Sequence, residues 1–154
     1  MAGISMVEAL VALVVISVGM LGIAGLYLSS LQAGRSANIR VQALNLASDL
    51  GDRIRANRQA KVAYTMAAGG TGVPHSCLTP TACTPVFVAE NDLFVWANAV
   101  KAALPVGATG AVTYTDTIDL ADPKQPHYDR YTIVITWREP GSDAVGNYTM
   151  ELKL

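Results

Sequence analysis

From Ala9 to Leu28 the chain runs through 20 residues without a charge, and only Ser17 and Tyr27 carry a side-chain polar atom. A helix of that length, rising 1.5 Å per residue, covers the ~30 Å of hydrocarbon in a bilayer, so the pattern predicts a membrane-spanning helix. A cleaved secretory signal would have a basic start and a shorter apolar core of roughly 7–15 residues. Here no Lys or Arg precedes the run and no turn residues close it. Apolar residues then recur at Leu28, Leu31, Ile39, Ala43, Leu46, Leu50 and Ile54, mostly three or four apart, with Val41, Leu44 and Ala47 widening the stripe. That is the spacing of an amphipathic helix. Unbroken from Ser5 to Arg58, the two halves would form one rod of about 80 Å, far longer than an ordinary globular helix. Gly19, Gly22, Gly25, Gly34 and Gly51 lie inside it. Each weakens a helix by about 1 kcal/mol relative to alanine, so the rod is expected to bend or to be closely packed.

The period changes further on. Gly69, Gly70, Thr71, Gly72, Pro74, Pro80 and Pro85 mark a surface loop. Asn91 or Asp92 can cap a short helix carrying Phe94, Val95, Trp96, Ala99, Val100, Ala103 and Leu104, which Pro105 stops. Past Gly107 and Gly110 apolar and polar residues alternate, through Val112 to Thr115, Tyr131 to Arg138 and Tyr148 to Leu154. Such alternation predicts three antiparallel strands, the last two joined by a loose hairpin over Pro140 to Asn147. The fold class is α+β, with a long N-terminal helix, one short extra helix and a small C-terminal antiparallel sheet. One sheet face is expected to cover the stripe of the long helix, with Leu46, Leu50, Ile54, Ile133, Ile135, Trp137 and Leu152 as core.

Composition sharpens the division. Over 154 residues, 51% are hydrophobic and 15% charged, and the mean hydropathy is +0.33. That excludes a disordered chain. Glu8 is the single charge before Arg35. Residues 35–61 carry six bases and two acids, and residues 62–154 carry five bases and nine acids. The net charge of −1 gives no reason to expect nucleic-acid binding. The basic stretch and the acidic remainder read first as solvated faces, and second as surfaces by which stacked copies attract.

Little in the chain offers chemistry. His75, Cys77 and Cys83 provide three possible metal ligands without a Cys-x-x-Cys spacing. Asp116, Asp119, Asp122 and Asp129 lack the spacing of a calcium loop and lie among Pro123 and Pro126. Gly69-Gly70-Thr71-Gly72 lacks the Lys of a phosphate loop, and no nucleophile sits with a base in a recognisable motif. We expect no enzyme, no cofactor, no metal and no small-molecule substrate.

The informative segment is Gly3-Ile4-Ser5-Met6-Val7-Glu8, followed at once by the apolar run. It resembles the N-terminus of type IV pilins and type II secretion pseudopilins: a glycine, a hydrophobic residue, and a glutamate five residues past the glycine. The resemblance implies a type IV pilin-like fold and a protein made to be polymerised. It also implies that a prepilin peptidase cleaves between Gly3 and Ile4 and that the new terminus is N-methylated at Ile4. Residues 1–3 are then a leader remnant, residues 4–30 the transmembrane and polymerisation segment, and residues 31–154 an external head that includes the amphipathic half of the helix. Only Met1 and Ala2 precede the glycine, where the family has a longer, basic leader. Positive charge at Arg35 and Arg40 would by itself place the head inside; the family pattern places it outside.

A carboxylate in hydrocarbon is costly unless neutralised, which makes Glu8 a functional candidate. The amine freed by cleavage, on a neighbouring subunit, would neutralise it. Without that partner, Glu8 would rest at headgroup level, favoured by the helix dipole. The glycine placement favours the first reading. Gly19, Gly22 and Gly25 thin one helix flank and permit close approach of another helix, although glycine is also common in membrane helices generally. With the head outside, Cys77 and Cys83 are expected to form a disulfide.

Within the superfamily the chain looks most like minor pilins of the PilV group, the type IV pilus modification proteins. The likeness rests on the run from Met6 to Gly22, on Ala47 to Leu50 with Arg53 to Asn57, on Trp96 ahead of Ala103-Leu104-Pro105, and on the last two strands. It implies a priming and tip complex with other minor pilins and the major pilin, contact with inner-membrane lipid, and roles in twitching motility and adhesion. The alternatives are a minor pseudopilin of type II secretion and, from another class, a single-span protein with a periplasmic ligand-binding module.

Overall fold

A computed structural model describes residues 5–76, 83–117 and 128–154. Helix α1 runs from Met6 to Ala56, 51 residues without interruption, through all five of its glycines. Glu8 lies in its first turn and Arg53 and Arg55 in its last, the arrangement that complements a helix dipole. A short 3-10 helix follows at Arg58–Tyr64, then helix α2 at Pro85–Ala103. Strands β1 (Thr109–Thr117), β2 (Tyr128–Arg138) and β3 (Val145–Lys153) form one antiparallel sheet in that order. The element order is the α+β architecture expected from the sequence.

The chain divides into two compact units, Met1–Ala37 and Asn38–Leu154. In the first, every described residue up to Arg35 is exposed, including Leu10, Val14, Met20, Leu21 and Leu26. This stretch is long and apolar enough to cross a membrane, and none of its most apolar window is buried in the protein.

The second unit has its own core. Ala43, Ala47, Leu50 and Ile54 on α1 join Leu93, Trp96 and Val100 on α2 and Val112, Ile133, Ile135, Trp137 and Leu152 on the sheet in a single apolar cluster. Six of the seven expected core residues are buried there. Leu46 is half-buried, and its carbonyl accepts the Trp96 Nε1 hydrogen at 2.9 Å. Two glycines admit the tryptophans. A Cβ on Gly110 would lie 2.4 Å from the Trp96 ring, and one on Gly146, paired in register with Trp137, would lie 2.6 Å from that indole.

The boundaries of α2 and β1 differ from the sequence expectation. Helix α2 begins at Pro85, with Thr84 Oγ1 capping the Phe87 amide at 3.3 Å. Thr-Pro is a cap followed by the residue best suited to the first helical position, so the proline opens the helix. Asn91 and Asp92 sit inside α2, and their side chains are spent on tertiary contacts. β1 starts at Thr109 and includes Gly110, whose missing side chain hides it from an alternation count.

Candidate functional site: the exposed N-terminal helix and its head

Ser5 and Glu8 open α1. The Ser5 carbonyl accepts from the Glu8 amide at 3.0 Å and the Ala9 amide at 3.3 Å, starting the ladder. Glu8 is thereby held in the first helical turn, exposed, as the single charge before Arg35. Gly3 and Ile4 lie outside the described residues. Gly19, Gly22 and Gly25 are described: a Cβ built on any of them meets nothing within 4 Å. They therefore mark an open, shallow flank of the first unit. Ser17 Oγ returns its hydrogen to the Leu13 carbonyl at 2.7 Å, so the one polar side chain of the mid-helix is satisfied within the helix.

In the second unit, the end of α1 is tied to the start of α2 by a charged network. Arg53 reaches Asp49 and Asp92, each at 3.0 Å, and the Tyr64 hydroxyl donates to Asp92 Oδ2 at 2.7 Å. Asn57 Nδ2 donates to the Pro85 carbonyl at 2.8 Å. Burial, reinforced by the hydrogen bond to Asp92, raises the Tyr64 phenol well above its ordinary range. Three further bases behave alike: Arg40 pairs with Glu139 at 3.8 Å, Arg55 with Asp52 at 2.6 Å and Lys61 with Asp129 at 3.6 Å. Four of the six bases of residues 35–61 are thus matched within the chain itself. That leaves less unpaired charge for attraction between stacked copies than the bare count suggested.

The segment entering the Pro-rich loop lies along α2. His75 stacks on Phe87 with centroids 4.6 Å apart, its Nε2 is 2.5 Å from Glu90 Oε2, and its amide donates to Asn91 Oδ1 at 3.1 Å. Cys77 lies outside the described residues, as do Asp119 and Asp122. Among the described residues no three of His, Cys, Asp or Glu converge as a metal site. Asp129 is engaged by Lys61 and by the Tyr114 hydroxyl at 2.6 Å.

Sequence reasoning missed the 3-10 helix at Arg58–Tyr64 and the buried Tyr64 and Met66. Tyr64 seals the network between α1 and α2, and Met66 makes a bridge to Val112 on β1. The segment is too short to show a periodicity, and Lys61 breaks it with φ 44° and ψ −116°.

The described residues thus combine an exposed apolar helix, long enough to cross a membrane and opening on one acid, with an α+β head. A match to the Tt1218-like family, described as type IV pilin Tt1218, covers residues 25–94, from the end of the apolar run into α2. The match spans just under half of the 154 residues and supports membership of the type IV pilin superfamily. No curated protein and no solved structure gives a significant match. The pilin likeness and the long apolar helix are consistent with a membrane-anchored pilin subunit.

Proposed function

We propose that this chain is a minor pilin of the type IV pilus, similar to the PilV group, which joins a priming and tip complex and promotes assembly. The observation that carries this reading is the wholly exposed apolar helix with Glu8 as its one charge, in its first turn. Cleavage between Gly3 and Ile4 by prepilin peptidase and N-methylation of Ile4 would leave Glu8 in the first turn of the mature chain. There its carboxylate pairs with the new terminal amine of a neighbouring minor or major pilin, which removes the cost of leaving the acid alone in hydrocarbon. Gly19, Gly22 and Gly25 give that neighbour's helix a close approach. The head stands outside the inner membrane until the subunit enters the pilus, where it serves twitching motility and adhesion. A disulfide between Cys77 and Cys83 staples the loop ahead of α2, stabilising the head by about 2–3 kcal/mol on the loop-entropy estimate.

The test is made in the native membrane. Mass spectrometry is expected to find a mature terminus at N-methylated Ile4. Glu8→Ala is expected to insert normally yet be lost from the pilus fraction by about tenfold or more, since pairing of two charges in a low-dielectric setting contributes more than 1.4 kcal/mol. An uncut terminus, or unchanged incorporation of the Glu8→Ala protein, would refute the mechanism. Co-purification with secretion rather than pilus components would assign the chain to type II secretion instead.

A further inference from the structure

The outer face of the head's sheet carries a charge arrangement that the pilin role does not use. Register places Thr115, Arg130 and Lys153 in one row across all three strands, with Thr117 and Tyr128 in the next. Arg130 and Lys153 are directly opposite each other on β2 and β3. Two like charges in that position destabilise a ladder. Elsewhere in the head the cations of Arg40, Arg53, Arg55, Lys61 and Arg138 each have a carboxylate within ion-pair distance. Arg130 and Lys153, like Arg58 and Lys101, have none among the described residues. Among the described residues the nearest acid on this face is Glu151, one row away opposite Thr132, so the described part of the row carries net positive charge.

What holds the two cations together is Tyr128. The Arg130 guanidinium lies 5.6 Å from its ring centroid and the Lys153 ammonium 5.3 Å. Arg130 Nη2 donates to the Tyr128 hydroxyl at 2.8 Å. That hydrogen bond, followed by the two positive charges, draws the Tyr128 phenol below its ordinary range. Arg130 Nε is buried without a hydrogen-bond partner. The row therefore presents a guanidinium, an ammonium and the Thr115 hydroxyl on one face, with the Tyr128 phenol beside both cations.

We propose that the Thr115–Arg130–Lys153 row, with Tyr128 beside it, binds a phosphate-type oxyanion, either free or carried as a monoester. Such an anion accepts charge-assisted hydrogen bonds from the guanidinium and the ammonium together and cancels the repulsion the sheet imposes on them. The Thr115 hydroxyl donates to a third oxygen. Aromatic contact keeps both cations in place when the anion leaves.

The experiment uses the full chain in nonionic micelles, with NMR signals of the Arg130, Lys153 and Thr115 groups followed during titration. The probes are inorganic phosphate and glycerol 3-phosphate, each compared with sodium chloride at equal ionic strength. The expected result is a saturable shift with a phosphate probe and none with chloride, weakened about tenfold by Lys153→Gln, since one charge-assisted hydrogen bond contributes that much. Ionisation of the Tyr128 phenol, followed by absorbance, moves to higher pH as the anion fills the site. Lys153 is exposed at the sheet edge, so its variant tests binding without disturbing the core; Arg130→Gln, checked for an unchanged near-ultraviolet spectrum, abolishes the shift. Tighter saturation by the monoester assigns the site to a phosphorylated molecule, and tighter saturation by phosphate to the free ion. An identical, non-saturating response to phosphate and chloride, or a Lys153→Gln titration matching the unaltered chain, would overturn the proposal.

Discussion

Three tyrosines show how a single side chain can tie stability to pH. Burial, assisted by the nearby Asp129 charge, pushes the Tyr131 phenol up to about 12, and its hydroxyl finds no hydrogen-bond partner among the described residues. Tyr114 is raised first by its hydrogen bond to Asp129 and then by burial, and Tyr64 by burial and then Asp92. Each holds its proton more tightly folded than unfolded, where a tyrosine loses it near pH 10. Their contribution is therefore complete below pH 10 and is lost as pH rises through the folded values. The denaturant midpoint of the chain is expected to fall as pH rises above 10. Tyr131→Phe should make that fall shallower while leaving neutral stability equal or improved, because it deletes a buried hydroxyl with no partner. A midpoint that is level to pH 12 would contradict this assignment.

At the scale of elements, the second helix shows how one signal can be read two ways. Thr84-Pro85 is the real start, and Asn91 and Asp92, which have the composition of caps, instead pin His75, Arg53 and Tyr64 to the helix. Removing the cap with Thr84→Ala is expected to cost about 1 kcal/mol, read from the shift in a chemical denaturation midpoint. Had Asn91 been the cap, that substitution would be silent. The long helix was legible because a period of three to four persists over many turns from Leu28 to Ile54, and the strands because alternation persists in Tyr131 to Arg138. The 3-10 helix was not, since seven residues containing a positive-φ lysine leave no periodic trace. Glycine was the other blind spot. Gly110 and Gly146 register as breaks in a pattern, whereas their role is to make room for tryptophans that arrive from other parts of the chain.

For the whole molecule, the division at Ala37 and Asn38 carries a prediction. Every buried residue of the described core lies at Ala43 or later, and the first unit contributes none. Residues 38–154 expressed alone are therefore expected to fold, to stay in solution without detergent, and to reproduce the near-ultraviolet dichroism of Trp96 and Trp137 in the full chain. Loss of that signal would show that the exposed helix supports the head. The same division separates the two proposals: the proposed assembly residues, Glu8 and the glycine flank, lie in the first unit, and the proposed anion site lies on the sheet of the second.

By itself the amino-acid order determined the membrane-length apolar run, the lone acid at its start, the amphipathic continuation and the class of fold. Each of these is a local property, written in composition or in a repeating interval along one element. Only the tertiary structure decided which cations are neutralised and which are left facing each other. It also decided where α2 begins and why two glycines stand beside two tryptophans. Those outcomes depend on residues up to 99 positions apart, as with Arg40 and Glu139, whose meeting is set by the packing of whole elements and by strand register. No interval in the sequence encodes such a meeting, because the energy that selects it comes from burying the common core.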